Sequence, residues 1–115
     1  MNIQFFIPHN PDPVVFKYFH AIVVLAEGFQ KLGIEFFGTC DYWYDPVAGE
    51  YLIKKAPNGY QSEVDIYVKK CFENGETKIN PSKINVLMDT GDGMFTCSSD
   101  KRFFNFDLIF LFSFY

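Results

Sequence analysis

The residues best suited to chemistry lie in a proline-rich segment near the beginning of the chain. His9, Asn10 and Asp12 stand between an apolar run and a helical pattern. A histidine is a good general base near neutral pH, and amide and carboxylate groups can hydrogen-bond a ligand. Asp12 also has a purely structural explanation, because a carboxylate just before Pro13 caps the start of a helix. The segment is therefore either a ligand-binding loop with His9 as its base or a capped, solvated turn.

A second polar cluster, residues 89–93 (DTGDG), follows a buried-strand pattern. It lacks the third glycine and the following helix of a dinucleotide-binding fingerprint. Its Asp-Thr-Gly also resembles the local pattern of aspartic proteases, but the chain after it is too short for the rest of that fold, and a helix near the beginning contradicts an all-β protease. Two interpretations are left: a polar turn, or an acidic loop in which Asp89, Thr90 and Asp92 face a crevice opposite His9.

An aromatic cluster after the second predicted strand supplies the third candidate. Trp43 stands between two tyrosines, and an aspartate flanks each of them. Aromatic rings pack against the C–H faces of sugars while carboxylates bind their hydroxyl groups, so Trp43 is a candidate sugar-binding residue. Core packing explains the same cluster.

These candidates need strand ends and a helix start to position them. The apolar run Ile3–Ile7 predicts a buried strand, and spacings of three and four predict a long helix over Val14–Leu32 that ends at Gly33. A second strand follows at Ile34–Phe37. Strand, helix and strand form a parallel βαβ unit. This predicts an α/β fold, Rossmann-like, with an open, mostly parallel sheet in three layers or an incomplete three-layer arrangement. The helix stripe expected to pack on the sheet comprises Val15, Phe19, Ile22, Ala26 and Phe29.

The rest of the chain contains three more strand patterns, Val64–Val68, Ile84–Met88 and Phe106–Phe114, and a small hairpin around Tyr51–Ile53. The links before the last two strands are at the lower length limit for parallel crossovers, so we expect their helices to be short or absent.

The order of the strands decides whether the polar loops meet. Strand order in such sheets usually reverses beside the first strand. We therefore expect Ile3–Ile7 and Ile84–Met88 to be neighbours, which would bring His9 and Asp89 to one edge of the sheet.

Composition excludes several classes of protein. The 115 residues have room for one domain, 1–115, and the net charge of -4 with no long basic segment argues against a nucleic-acid-binding protein. Three cysteines without paired spacing predict reduced thiols in a cytoplasmic compartment and no metal site. No apolar run is long enough to cross a membrane, and no cofactor is expected.

The final segment, residues 106–115, carries apolar side chains on both faces of its predicted strand. Such a strand belongs inside a sheet and needs cover on both faces. We expect it to be covered by a second copy of the chain in a homodimer, or by a missing C-terminal domain of a larger protein.

The segment Phe5–Pro8, the helix end Ala26–Gly33 and the strand Ile34–Gly38 resemble the opening of two-Rossmann-domain (GT-B) glycosyltransferases. Val86–Asp89 and Phe106–Phe110 are similar to the same domain in some bacterial and viral polysaccharide transferases. The resemblance implies an N-terminal, acceptor-side domain that binds a sugar or glycan at the carboxyl edge of its sheet. Because that family holds the donor mainly in its C-terminal domain, catalysis would need a further domain.

In such a protein His9 would be the base that deprotonates the acceptor hydroxyl. The residues expected to line the site are Asn10, Asp12, Trp43, Asp89, Thr90 and Asp92. The alternative is a non-catalytic Rossmann-like module that dimerises or docks through its C-terminal strand. A flavodoxin-like cofactor binder is disfavoured, because the loop after the first strand lacks the Ser, Thr and Gly residues of a phosphate loop.

Overall fold

The computed structural model describes residues 1–7, 20–68, 78–89 and 106–111, which form a mixed α/β fold with two sheets and one helix. Its elements are β1 (Asn2–Phe6), α1 (His20–Leu32), β2 (Glu35–Gly38), β3 (Tyr42–Asp45), β4 (Glu50–Ile53), β5 (Val64–Val68), β6 (Ile84–Asp89) and β7 (Leu108–Leu111). Within these ranges no helix has the length and apolar character needed to cross a membrane. The links expected before β6 and β7 fall mostly outside the described residues.

The main sheet contains five strands in the order β2-β1-β5-β6-β7, and each neighbouring pair is parallel. This confirms the predicted mostly parallel sheet. The predicted pairing of the first strand with Ile84–Met88 is wrong, because β5 lies between β1 and β6. All five residues of β5 are buried, whereas Ile84 at the start of β6 is exposed. The fully buried strand therefore takes the central position beside β1.

Helix α1 packs on one face of this sheet through its apolar stripe. Ile22 and Ala26 are buried, and Phe29 contacts the core with its ring 6.0 Å from Phe5 and 6.3 Å from Phe36. These residues confirm the described half of the predicted stripe, while residues 14–19, with Val15 and Phe19, fall outside the described structure. Gly33, at φ 72°, ends the helix as expected.

The other face of the sheet carries a buried carboxyl group. Asp65 on β5 is 3% exposed, and Ser62 Oγ donates to its Oδ1 at 2.5 Å. The Tyr67 hydroxyl also hydrogen-bonds this carboxyl group, and Lys83 Nζ donates to the Ser62 carbonyl oxygen nearby. Burial raises the pKa of Asp65, although these partners oppose the shift. The tyrosine ring stacks on Phe6 at 4.3 Å, so polar and aromatic contacts share this face.

The small hairpin predicted around Tyr51–Ile53 is present as the antiparallel pair β3–β4. It is attached to the outer edge of β2, where Gly38 N donates to Lys54 O at 2.8 Å and Ala56 N donates to Gly38 O at 2.9 Å. At the opposite edge of the sheet, β7 occupies an outer position rather than the internal one expected for it. That a second copy of the chain or another domain covers the side chains of this strand stays a prediction.

Candidate functional site

The carboxyl ends of the five parallel strands lie along one edge of the main sheet. Beside β1 the chain reverses its course: it goes outward to β2 on one side and continues with β5 on the other. In open parallel sheets a crevice forms at this reversal, because the loops after the two neighbouring strands leave in opposite directions. The end of β1 is therefore the first place to look for a ligand site.

Two of the predicted polar loops start from this edge. Asp89 is the last residue of β6 and pairs with Leu111, which places its backbone at the carboxyl end of the sheet. The segment containing His9, Asn10 and Asp12 follows β1, but these residues lie outside the described structure, as do Thr90 and Asp92. The starts of the two loops share one edge, with β5 between their strands.

Trp43 belongs to a different part of the molecule. It lies on β3 of the hairpin rather than at a strand end of the main sheet, and its side chain is 36% exposed. Its backbone has a φ of 63°, an uncommon conformation for a bulky residue. The neighbouring Tyr42 is buried in the core, whereas Tyr44 is exposed. Tyr42 therefore packs in the core, whereas Trp43 and Tyr44 lie at the surface.

Thr39, which the sequence analysis did not single out, holds the end of β1. Its Oγ1 accepts a hydrogen bond from Ile7 N at 2.9 Å and donates one to Ile7 O at 3.1 Å. Ile7 is the residue immediately before Pro8, so this pair of bonds fixes the point from which the candidate loop departs. A threonine directly after the last residue of a strand is the only sequence feature that could have pointed to it, since Ser and Thr readily hydrogen-bond backbone groups.

Cys40 and Tyr42 follow Thr39 at the same end of β2. Burial raises the pKa of the Cys40 thiol, the Asp41 carboxylate adds to this shift, and Lys55 opposes it. Burial also raises the pKa of Tyr42 to about 12, and Cys40 adds to that shift. Both groups are therefore protonated at neutral pH. The thiol is a weak hydrogen-bonding group here and not an activated nucleophile.

Asp41 and Lys55 connect this end of β2 to the hairpin. The Asp41 carboxylate accepts a hydrogen bond from the Lys55 backbone N–H at 2.8 Å. Across the described ranges, no group of three His, Cys, Asp or Glu side chains is close enough to hold a metal ion. The described part of this edge therefore offers a ligand hydrogen bonds from neutral groups, beside an Asp41 carboxylate that already accepts one hydrogen bond from the backbone.

The chain matches no protein-family model, and neither the curated proteins nor the solved structures contain a significant match to it.

Proposed function

We propose that this chain is a Rossmann-like domain that binds a sugar or glycan at the carboxyl edge of its sheet, in the manner of the acceptor-side domain of GT-B glycosyltransferases. The observation that carries the proposal is the strand order. It reads 2-1-3-4-5 when only the strands of the main sheet are counted, which is the order of flavodoxin-like sheets and not the 3-2-1-4-5-6 order of a classic Rossmann fold. Both kinds of doubly wound sheet bind ligands at the reversal beside the first strand, so the order supports the position of the site.

The positions of the polar residues support the same edge. His9 and Asn10 come two and three residues after Ile7, whose backbone is held by both hydrogen bonds of Thr39. Asp89 ends a strand at that edge. A ligand bound across the ends of β1, β5 and β6 would meet groups that donate and groups that accept hydrogen bonds, which suits the hydroxyl groups of a sugar.

The chemistry of the proposed role is proton removal. His9, as the neutral imidazole, would take the proton of an acceptor hydroxyl, and the resulting oxygen nucleophile would attack the anomeric carbon of a nucleotide sugar held by a separate domain. The nucleoside diphosphate leaves with the bonding electron pair. In this scheme the chain binds and activates the acceptor and does not bind the donor.

The test is a two-dimensional NMR titration of the labelled chain with a panel of neutral oligosaccharides and nucleotide sugars. We expect saturable shifts of the Thr39, Cys40 and Asp89 amides with an oligosaccharide, and their loss in His9→Ala and Asp89→Asn. Glu63→Gln is the matched control, because Glu63 is exposed and precedes β5 at the opposite edge. If no ligand shifts these amides, or if Glu63→Gln abolishes binding as well, the proposed role is wrong.

A second function is favoured by one observation at β7. Leu108 and Ile109 are 48% and 38% exposed, and as successive strand residues they face opposite sides of an outer strand. A non-catalytic module that dimerises by pairing β7 with a second copy would pair the free backbone edge of β7 and place a cross-strand neighbour beside each of the two side chains. Sedimentation equilibrium of the wild type and Ile109→Lys distinguishes the two functions: a dimer that the substitution converts to a monomer supports the module.

A further inference from the structure

A groove lies between β2, the end of α1 and the β3–β4 hairpin, and its lining includes none of the residues discussed above at the carboxyl edge. We call it the flank groove. Its volume is about 230 Å³, and its lining includes Phe36, Phe37, Tyr51, Gln30, Glu50 and Lys54. This volume is below the range of about 300–1,000 Å³ found for drug-sized ligands, so the groove suits a single ring.

The hairpin wall of the flank groove is held at both ends. At the base, Gly38 N donates to Lys54 O, which attaches the end of β4 to β2. At the turn, Asp45 Oδ1 accepts hydrogen bonds from Val47 N at 2.9 Å and Ala48 N at 3.3 Å, and Gly49 N donates to Asp45 O at 2.8 Å. The groove is therefore formed by the fold itself and does not need a ligand to assemble it.

The aromatic rings in the groove are held by other rings behind them. Phe36 packs edge-on against Phe5 at 6.0 Å, on the side of β2 that faces α1. Phe37, the next strand residue, points to the opposite side and packs against Tyr60 at 4.9 Å, so the rings available to the groove are those of Phe36 and Tyr51. On the hairpin, Tyr51 contacts Tyr44 at 5.3 Å with the rings at 72°. Side chains fixed in this way lose little further freedom when a ligand binds, which lowers the cost of binding.

The polar groups of the flank groove nearly balance in charge. Lys54 Nζ lies 2.8 Å from Glu50 Oε2, so these two charges neutralise each other. The third charged group, Asp45, already uses Oδ1 in the turn. Gln30, whose amide both donates and accepts hydrogen bonds, adds no charge. This set offers donors and acceptors together without a strong net field, which matches neither an anion nor a multivalent cation.

We infer that the flank groove binds one neutral sugar ring. The C–H face of a pyranose would pack on the aromatic side chains, and its hydroxyl groups would hydrogen-bond Gln30, Glu50 and Lys54. The site is independent of the carboxyl edge, so it does not rest on the function proposed above. It assigns to the exposed residues of the hairpin a role that core packing does not explain.

The experiment follows the backbone amide signals of the isotope-labelled chain in two-dimensional NMR spectra. Gln30, Glu50 and Tyr51 line the groove, so their amides report a bound ligand directly. Neutral methyl pyranosides, the gluco, galacto, manno and N-acetylglucosamine forms, are titrated to about 50 mM, which covers the millimolar affinity of a single-ring site. Amide shifts then locate the bound sugar.

We expect saturable changes for at least one pyranoside, with amide shifts at Gln30, Glu50 and Tyr51. Tyr51→Ala should bind about tenfold more weakly, since it loses an aromatic contact. Glu50→Gln keeps the shape of the groove and should also weaken binding. The matched control is Val47→Ala, which removes a 96% exposed side chain from the same hairpin but outside the lining.

Each outcome decides the inference. Weaker binding in Tyr51→Ala and Glu50→Gln, with unchanged binding in Val47→Ala and His9→Ala, supports the flank site even if the carboxyl edge binds nothing. No saturable change with any pyranoside overturns it. Shifts confined to Thr39, Cys40 and Asp89 also overturn it, while supporting the function proposed for the carboxyl edge.

Discussion

Replacing Gly38 by alanine tests the close junction between β1, β2 and the hairpin. A Cβ atom at this position would lie 2.7 Å from Ile53 Cγ2, 2.9 Å from the backbone oxygen of Cys40 and 3.4 Å from Ile7 Cδ1. Contacts below 3.0 Å with a backbone atom and a buried side chain require a shift of the chain. Gly38 cannot move freely, since its N–H and C=O groups are bonded to residues 54 and 56.

Overpacking a buried site costs about 1–3 kcal/mol, and the lower backbone entropy of unfolded alanine returns about 0.5–1 kcal/mol. We therefore expect Gly38→Ala to lower the free energy of unfolding by about 1–2 kcal/mol. In a domain of this size each kcal/mol corresponds to about 4 °C, so the melting temperature should fall by about 4–8 °C. Urea unfolding followed by circular dichroism measures the first quantity, and a thermal scan measures the second.

Gly28→Ala is the matched control, because a Cβ at Gly28 meets nothing within 4 Å and the residue lies inside α1. Alanine there should raise the free energy of unfolding by about 0.5–1 kcal/mol. The two substitutions add the same methyl group and are expected to change stability in opposite directions. If Gly38→Ala is as stable as the wild type while Gly28→Ala is stabilised, the junction is not tightly packed and the argument fails.

Three further predictions concern the Thr39 hydroxyl group, the buried Asp65 carboxyl group and the turn residue Gly49. Thr39→Val should lower the free energy of unfolding by about 1–3 kcal/mol in urea titrations, because it leaves the backbone groups of Ile7 without their partner. Thr39→Ser keeps the hydroxyl group and should keep most of the wild-type stability. Equal losses in both variants would argue against a role for the hydroxyl group. Burial raises the pKa of Asp65 in the folded state. Between the ordinary pKa and the raised one, the folded chain holds a proton that the unfolded chain has lost, so the free energy of unfolding falls as the pH rises through this interval. The wild type should therefore lose stability relative to Asp65→Asn as the pH rises above the ordinary pKa of 3.8, and a constant difference in urea unfolding would refute this. Gly49→Ala forces an alanine to adopt a φ of 73° in the hairpin turn and should lower the free energy of unfolding by about 1 kcal/mol, measured by thermal unfolding. The control is Ala48→Gly, which changes the same turn but leaves Gly49 at this angle without strain.

The strands and the helix could be predicted from the sequence because their patterns are local. The helix stripe at Ile22, Ala26 and Phe29 and the apolar runs of β1 and β6 each identify an element without reference to the rest of the chain. The strand order could not be derived in this way. Whether β5 or β6 lies beside β1 depends on which strand buries both faces. The burial of β5 includes Asp65, which is held by its own hydrogen-bond partners, and no local pattern reveals such a contact.

The candidate sites likewise divide into features that a local pattern predicts and contacts between distant segments that it does not. The edge carrying Asp89 could be predicted because parallel strands must end together. The contact of Thr39 with Ile7 and the flank groove join residues far apart in the chain, and no spacing in the sequence reports such contacts.

The central position of β1 has a consequence for how the protein acquires its structure during synthesis. β1 leaves the ribosome before the other strands of the sheet, and β2 is the next of them to emerge and pairs with one of its sides. The other side pairs with β5, with Ile3 opposite Val64, so that edge of β1 stays open until much more of the chain has emerged. Parallel pairing between distant segments is slow, because the intervening chain must first close into a loop. In that interval the newly made chain presents an apolar strand edge, and a chaperone that covers it would raise the yield of folded protein.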